Sequence, residues 1–332
     1  MQRTTIEKTI SLILIALLYF SCTRQVPVQK VKQSTFSLTF QTEQKIPPLT
    51  RVKDIKQDGH GNLYLLDVEK KYIYKFDPSG RFLNLLCSPG NQLGQIDRAV
   101  FIHIYRDSLL FVHNVGMLDV LTMEGKPIRE VSARGRGDIS VRNDGTVFIN
   151  RMMDATQWGY LIQTIDLQGN ELHQFKPARG PFYKTSQADF SFVGHLSNNR
   201  VVYVPALLDS IFLYDVQGRL LKSAVRVDGV KPPADTDQQW PFQVEDLCVH
   251  NDRIFLLPAD KTDPNSNEVY FKKIAEYNAN LKLVKIYELP ESITVTTTTE
   301  PWAPWYHRFL VTDNFFLFMV AKPAEHIEAY EY

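Results

Sequence analysis

Between residue 52 and the C-terminus one pattern of short strands and tight turns recurs six times, and that recurrence limits the fold more than any other feature of the chain. The first copy is the clearest. Val52-Lys53-Asp54-Ile55-Lys56-Gln57 reads as a strand and Asp58-Gly59-His60-Gly61-Asn62 as a turn, because Gly and Asn enter φ > 0 at little cost. Leu63-Tyr64-Leu65-Leu66-Asp67 is a second strand and Tyr72-Ile73-Tyr74-Lys75-Phe76 alternates as a third. Asp77-Pro78-Ser79-Gly80 then reverses the chain into Arg81-Phe82-Leu83-Asn84-Leu85-Leu86, the fourth. Four antiparallel strands over such a stretch make one blade of a β-propeller.

Residues 99–131 repeat the unit, and residues 137–175 repeat it with turns at Asn143-Asp144-Gly145 and Asp166-Leu167-Gln168-Gly169. Ile139 and Val147 stand at the same spacing as Ile55 and Leu63. Residues 190–227 and 244–289 are the fourth and fifth copies; the sixth begins near Arg308 and stops one strand short. The orphan segment Ser34-Thr35-Phe36-Ser37-Leu38-Thr39-Phe40-Gln41 alternates with period two and precedes the first copy. The expectation is an all-β chain, residues 34–332 forming a single six-bladed β-propeller of four-stranded antiparallel blades. Residues 34–41 would close it as the outer strand of the last blade, leaving no open edge there. Two unrelated β domains are the alternative, and they account for neither the copy number nor the orphan strand.

Residues 1–21 read as an export signal: Arg3 and Lys8 precede an apolar run from Ile10 to Phe20 that is too short to span a bilayer. The run ends in Tyr19-Phe20-Ser21-Cys22, which resembles a lipoprotein signal with Cys22 as the acylated residue. A plain secretory signal or an uncleaved anchor competes with this reading. Residues 22–33, rich in Gln, Lys and Pro, would be a polar tether. The implied place is the cell envelope, at the outer membrane. Of the remaining cysteines, Cys87 falls in the first blade and Cys248 in the fifth, which are not neighbours in a ring of six, so both are expected free. Lys plus Arg (37) equal Asp plus Glu (37), so no net field favours nucleic acid or acidic lipid.

The stretches Asp58-Gly59-His60-Gly61-Asn62-Leu63-Tyr64-Leu65-Leu66-Asp67 and Tyr72-Ile73-Tyr74-Lys75-Phe76-Asp77-Pro78-Ser79-Gly80 resemble an NHL-type propeller repeat. Ser88-Pro89-Gly90-Asn91-Gln92-Leu93-Gly94-Gln95 is similar to the glycine-rich link between blades in that family. The chain also resembles six-bladed propeller lipoproteins of Gram-negative bacteria. That resemblance implies a fold and no particular chemistry.

Two candidate sites follow from the repeat. The links between strands two and three and between blades are long, whereas the others are tight turns. All four tryptophans lie in the long links, giving a loop-face set of Trp158, Phe182, Tyr183, Trp240, Phe242, Trp302, Trp305 and Tyr306. Such aromatics suit a protein, peptide or glycan partner, although they also serve to cover blade ends. The second candidate is the channel mouth, where Asp54, Asp138 and Asp246 recur at one place in the innermost strands of blades one, three and five, with Glu245, His307 and Arg308 close in sequence. The three aspartates suggest a Ca²⁺ site, or else carboxylates that tie blades together through backbone N–H groups.

Catalytic signatures are missing. There is no Walker loop, no His-Glu-x-x-His, no Gly-x-Ser-x-Gly and no Cys-x-x-Cys, and the eight histidines form no sequence cluster. The loop 260–267 lacks the glycine and terminal glutamate of an EF-hand, and residues 296–305 read as an extended, Pro-stiffened segment. No cofactor is indicated beyond Ca²⁺. A binding module is therefore expected, with a metal-assisted hydrolase, lactonase or lyase at the channel mouth as the alternative.

Overall fold

A computed structural model describes residues 26–40, 46–114, 116–133, 138–150, 162–175, 191–205, 210–226, 244–258, 268–296, 309–320 and 326–332. Among these every regular element is a β-strand; six antiparallel blades follow in chain order, and a short parallel pair, Ser88–Pro89 with Gln95–Ile96, lies in the link between blades one and two. Blade one comprises Val52–Gln57, Leu63–Asp67, Tyr72–Phe76 and Phe82–Leu85; blade two Ala99–Tyr105, Leu109–Asn114, Met117–Thr122 and Pro127–Ser132. Blade three comprises Ile139–Val141, Val147–Asn150, Ile162–Ile165 and Glu171–Phe175; blade four Ser191–Leu196, Arg200–Pro205, Ser210–Asp215 and Leu220–Val225. Blade five comprises Val244–His250, Arg253–Pro258, Glu268–Asn278 and Leu283–Thr296, and blade six adds Phe309–Val311, Phe315–Val320 and His326–Glu331.

The buried side chains sort into six clusters, one at each junction between neighbouring blades. A second strand faces a neighbour on both sides, which is why Leu63–Asp67 is buried throughout and Leu63 to Leu66 run apolar rather than alternating. Its Tyr64 and Leu66 pack toward blade two, and its Leu63 and Leu65 toward blade six. The cluster joining blades six and one, with Leu317 and Ile327 against Leu65 and Tyr74, shows that the ring is closed.

The hairpins between third and fourth strands share one device. Asp77, Thr122, Asp166, Asp215 and Asn278 each accept the backbone N–H groups two and four residues ahead. The residue between those two adopts positive φ: Gly80, Gly125, Gly169, Gly218 and, in blade five, Leu281 at 57°. A Cβ on Gly80 would also collide with the carbonyl oxygen of Ser37.

Closure is made by an N-terminal strand as expected, but it lies earlier than residues 34–41 and shares only Ser34 with them. The outer strand of blade six is Lys32–Ser34, antiparallel to His326–Glu331 in the register Lys32↔Glu331. The expected tether is also partly structured: Val28–Lys30 lies parallel to Leu283–Thr296 as a fifth strand on blade five. Between these strands Val31 is buried at 5% exposure and its N–H donates to Glu288 O at 3.0 Å. The period-two signal of residues 34–41 has another origin. Phe36 and Leu38 pack on the junction of blades six and one, and Thr39 bridges to the blade-one hairpin through Gly80 O and Phe82 N–H, both at 2.8 Å. An outer strand has no apolar face to bury, so Val28–Lys30 and Lys32–Ser34 carry no alternation for a sequence reader to find. Neither Cys87 nor Cys248 is in a disulfide, and burial pushes the Cys87 thiol up to about 12.

Candidate functional site

In this topology the links joining strands one and two, and three and four, sit at one end of the ring; all other links attach at the opposite end. The segments 151–161, 176–190, 227–243, 259–267 and 297–308 each join strand ends at that opposite end. Trp158, Phe182, Tyr183, Trp240, Phe242, Trp302, Trp305 and Tyr306 fall within them and lie outside the described residues, as do His307, Arg308 and the side chain of Glu245. Cys22 lies outside them as well.

The three recurrent aspartates are described in full. Asp54 accepts the N–H of Ile55 on Oδ1 at 3.0 Å and that of Ile102 in blade two on Oδ2 at 2.9 Å. Asp246 does the same with Leu247 at 2.8 Å and with Phe309 of blade six at 2.8 Å. Asp138 binds Ile139 at 3.0 Å and reaches Val193 of blade four at 3.4 Å. Each carboxylate thus joins an odd blade to the even blade after it, at the innermost strand, while fully buried or nearly so. Lys56 Nζ adds an ion pair to Asp54 Oδ1 at 2.7 Å. Among the described residues no group of three or more His, Cys, Asp or Glu side chains is placed to share a metal ion.

The tight-turn end opens into an axial cavity of about 1150 Å³. Turns from successive blades ring its mouth and are bonded to one another. Gly59 N–H donates to Asp107 Oδ1 at 2.7 Å, Tyr105 O–H to the Asn143 carbonyl at 2.8 Å, and Ser197 N–H to Asp252 Oδ1 at 2.7 Å. His250 Nε2 meets Asp313 Oδ1 at 2.8 Å.

Just inside this mouth the innermost strands of blades two, three and four bring together His103, Ser140 and His195, all lining the cavity. Ser140 Oγ lies 2.7 Å from His195 Nδ1, Val141 N–H donates to His103 Nε2 at 3.3 Å, and the two imidazole centroids are 6.3 Å apart. Burial holds both rings below the ordinary imidazole value of 6.5. His103 is driven well below it, with the charges of His195 and Lys56 adding to burial. His195 falls to about 4 through burial and the Arg142 guanidinium, with Asp252 opposing. Both rings are therefore neutral at pH 7.

The sequence did contain a signal for this cluster. Lys56, Ser140 and Cys248 each stand two places after a recurrent aspartate, and His103 occupies the same place in blade two, two residues after Phe101. That position turns into the cavity, so reading down the repeat rather than along the chain brings these residues to one level.

A pH dependence of stability follows. The unfolded chain takes up a proton at His195 near 6.5, whereas the folded chain does so only near 4. Stability from this group is complete above 6.5 and is lost as the pH falls toward 4, by about 3 kcal/mol in all. Asp119, whose carboxyl burial raises to about 6, acts with the opposite sign in the same window, favouring the folded state below its pKa. Comparison with His195→Gln isolates the histidine: between about pH 7 and pH 4.5 the variant should lose about 2–3 kcal/mol less than the parent in urea unfolding.

No family model matches the chain, and no curated protein matches it in sequence. Solved structures do match its fold. A Bacteroides fragilis protein described as exported is 10% identical with a TM-score of 0.58, over 92% of this chain and 98% of that one. A member of the duf4221 family from Bacteroides vulgatus is 10% identical with a TM-score of 0.60, over 91% and 98%. Virginiamycin B lyase from Staphylococcus aureus is 12% identical with a TM-score of 0.51, over 91% and 100%. At these identities the likeness is one of fold.

Proposed function

We propose that the chain is an exported binding module of the cell envelope, anchored to the outer membrane through acylated Cys22, that presents its long links to a protein, peptide or glycan. One observation carries this reading: a closed ring of six blades, bonded turn to turn at one end, gathers the attachment points of all its long links at the other. Loops on a rigid frame are the usual carriers of recognition, and all four tryptophans belong to these. The exported Bacteroides protein among its structural neighbours agrees with the address read at residues 1–22. Binding is preferred to Ca²⁺-assisted hydrolysis because Asp54, Asp138 and Asp246 serve the ring itself.

The test uses a soluble form comprising residues 23–332, immobilised and exposed to envelope extract and to a glycan panel. Since all four tryptophans belong to the long links in sequence, their emission is the chosen reporter for the loop face. Titration of the captured partner should change that emission. The combined change of Trp240, Trp302 and Trp305 to Ala should weaken binding by about tenfold or more, in line with aromatic anchors worth about 2 kcal/mol each. Undiminished affinity in the triple variant removes the proposal. In the full chain, Cys22→Ser should move the protein from the detergent phase to the aqueous phase of a Triton X-114 partition.

A further inference from the structure

We infer that the axial cavity is a second binding site, which takes one oxyanion group, a carboxylate or a phosphate, of a small ligand between His103, His195 and Lys56. It is independent of the loop face, since it opens at the other end of the ring.

Hydrogen-bond bookkeeping on the two rings sets the polarity of the site. Val141 N–H donates to His103 Nε2, so that nitrogen is unprotonated and the neutral ring carries its proton on Nδ1. Nδ1 has no partner among the described residues and borders the cavity. His195 spends Nδ1 on Ser140 Oγ, and an oxyanion at Nε2 selects the tautomer in which the serine hydroxyl donates to Nδ1 and Nε2 carries the proton. Lys56 uses one ammonium proton on Asp54 and has two more. This level of the cavity therefore presents donors from blades one, two and four. The carboxylates at the same level, Asp54 and Asp138, already receive backbone N–H groups on both oxygens.

A metal ion is the obvious competitor for paired imidazoles, and the Val141 contact argues against it. Coordination through Nδ1 of His103 would push the ring proton to Nε2, where it would face the Val141 N–H. An acceptor oxygen needs no such change. Lys56, paired with Asp54, faces His103 from blade one, and Arg142, paired with Asp144, faces His195 from blade three, with Asp252 of blade five opposing them at His195. A bound anion offsets that field and raises the proton affinity of His195, whose added Nδ1 proton Ser140 Oγ accepts, so binding takes up a proton and strengthens as the pH falls below 7. The volume of about 1150 Å³ leaves room for the rest of a ligand of ordinary metabolite size.

The probes are inorganic phosphate and succinate, titrated calorimetrically into the 23–332 protein at about pH 6.0 and pH 7.5. One of them should bind with 1:1 stoichiometry, and about tenfold more tightly at the lower pH, a change worth about 1.4 kcal/mol. The probe that binds tells carboxylate from phosphate. Variants His195→Ala and Lys56→Met should each weaken binding severalfold while leaving the tryptophan emission and the loop-face partner unaffected. Should His195→Ala fail to fold, ¹⁵N-histidine spectra of the parent give the same answer, because the probe should move His195 toward the protonated form while His103 keeps its neutral, Nδ1-protonated ring. Absence of binding by either probe at tens of millimolar overturns the inference. So does binding indifferent to Lys56→Met, or Zn²⁺ binding lost on His195→Ala in a protein that takes neither anion.

Discussion

A chain begun at Thr35 should melt about 10 °C below one begun at Cys22, because it lacks both N-terminal strands. Val31 alone buries enough apolar surface for about 1.5–3 kcal/mol. The backbone bonds along Val28–Lys30 and Lys32–Ser34 add about 1 kcal/mol net for the best of them. A total near 5 kcal/mol, at about 2 °C per kcal/mol for a domain of this size, gives the expected drop. The loss should be local in origin. Hydrogen exchange should quicken first in His326–Glu331, left as a bare edge, and then across the junction of blades six and one. Val31→Asp in the full chain should reproduce most of the destabilisation, since it buries an unpaired carboxylate without shortening anything. Differential scanning calorimetry of the three proteins decides the matter; coincident melting would mean that the strap is ornamental.

Replacing Asp246 by Ala should destabilise the fold by about 3–5 kcal/mol, at the upper end for a single substitution. The carboxylate is fully buried and accepts Leu247 N–H and Phe309 N–H, both at 2.8 Å. Its removal strands two backbone donors in a place water does not easily reach. Asp54→Ala should cost as much and also leave Lys56 without its partner. Asp97→Ala is the control: that carboxylate pairs with Lys71 at the surface, and its loss should cost under about 1 kcal/mol. The readout beyond stability is exchange at the Phe309 amide, which should rise sharply in Asp246→Ala and stay protected in the control.

The repeat made the architecture legible because propeller blades obey local rules. Turn residues such as Asp77 and Gly80 act within five positions of one another, and their spacing survives even where the strands drift. Blade five shows the limit of that legibility, since Leu281 holds the positive-φ place that glycine holds elsewhere. The outer strands were opaque for the opposite reason. Lys32 and Gln33 are recruited by the hydrogen-bonding edge of a distant segment, and nothing in their own side chains announces it. The imidazole cluster was hidden along the chain, with His103 and His195 nearly a hundred residues apart, and stacking the blades in register finds only His103, since the equivalent place in blade four is Gly194 and His195 stands one residue further on. The aspartates carried two meanings in the sequence, and only the backbone N–H partners supplied by the next blade distinguish them.

The strap has a bearing on the order of events during biogenesis. Residues 28–34 leave the ribosome more than 250 residues ahead of their partners, Ile286 to Glu288 and Ala329 to Glu331. The leading segment must wait for the trailing one, and a late intermediate with blades one to five assembled still lacks its latch. Such contacts of extreme sequence separation slow the final step of folding and expose sticky margins meanwhile. That delay keeps the circle unlocked until Glu331 has been made.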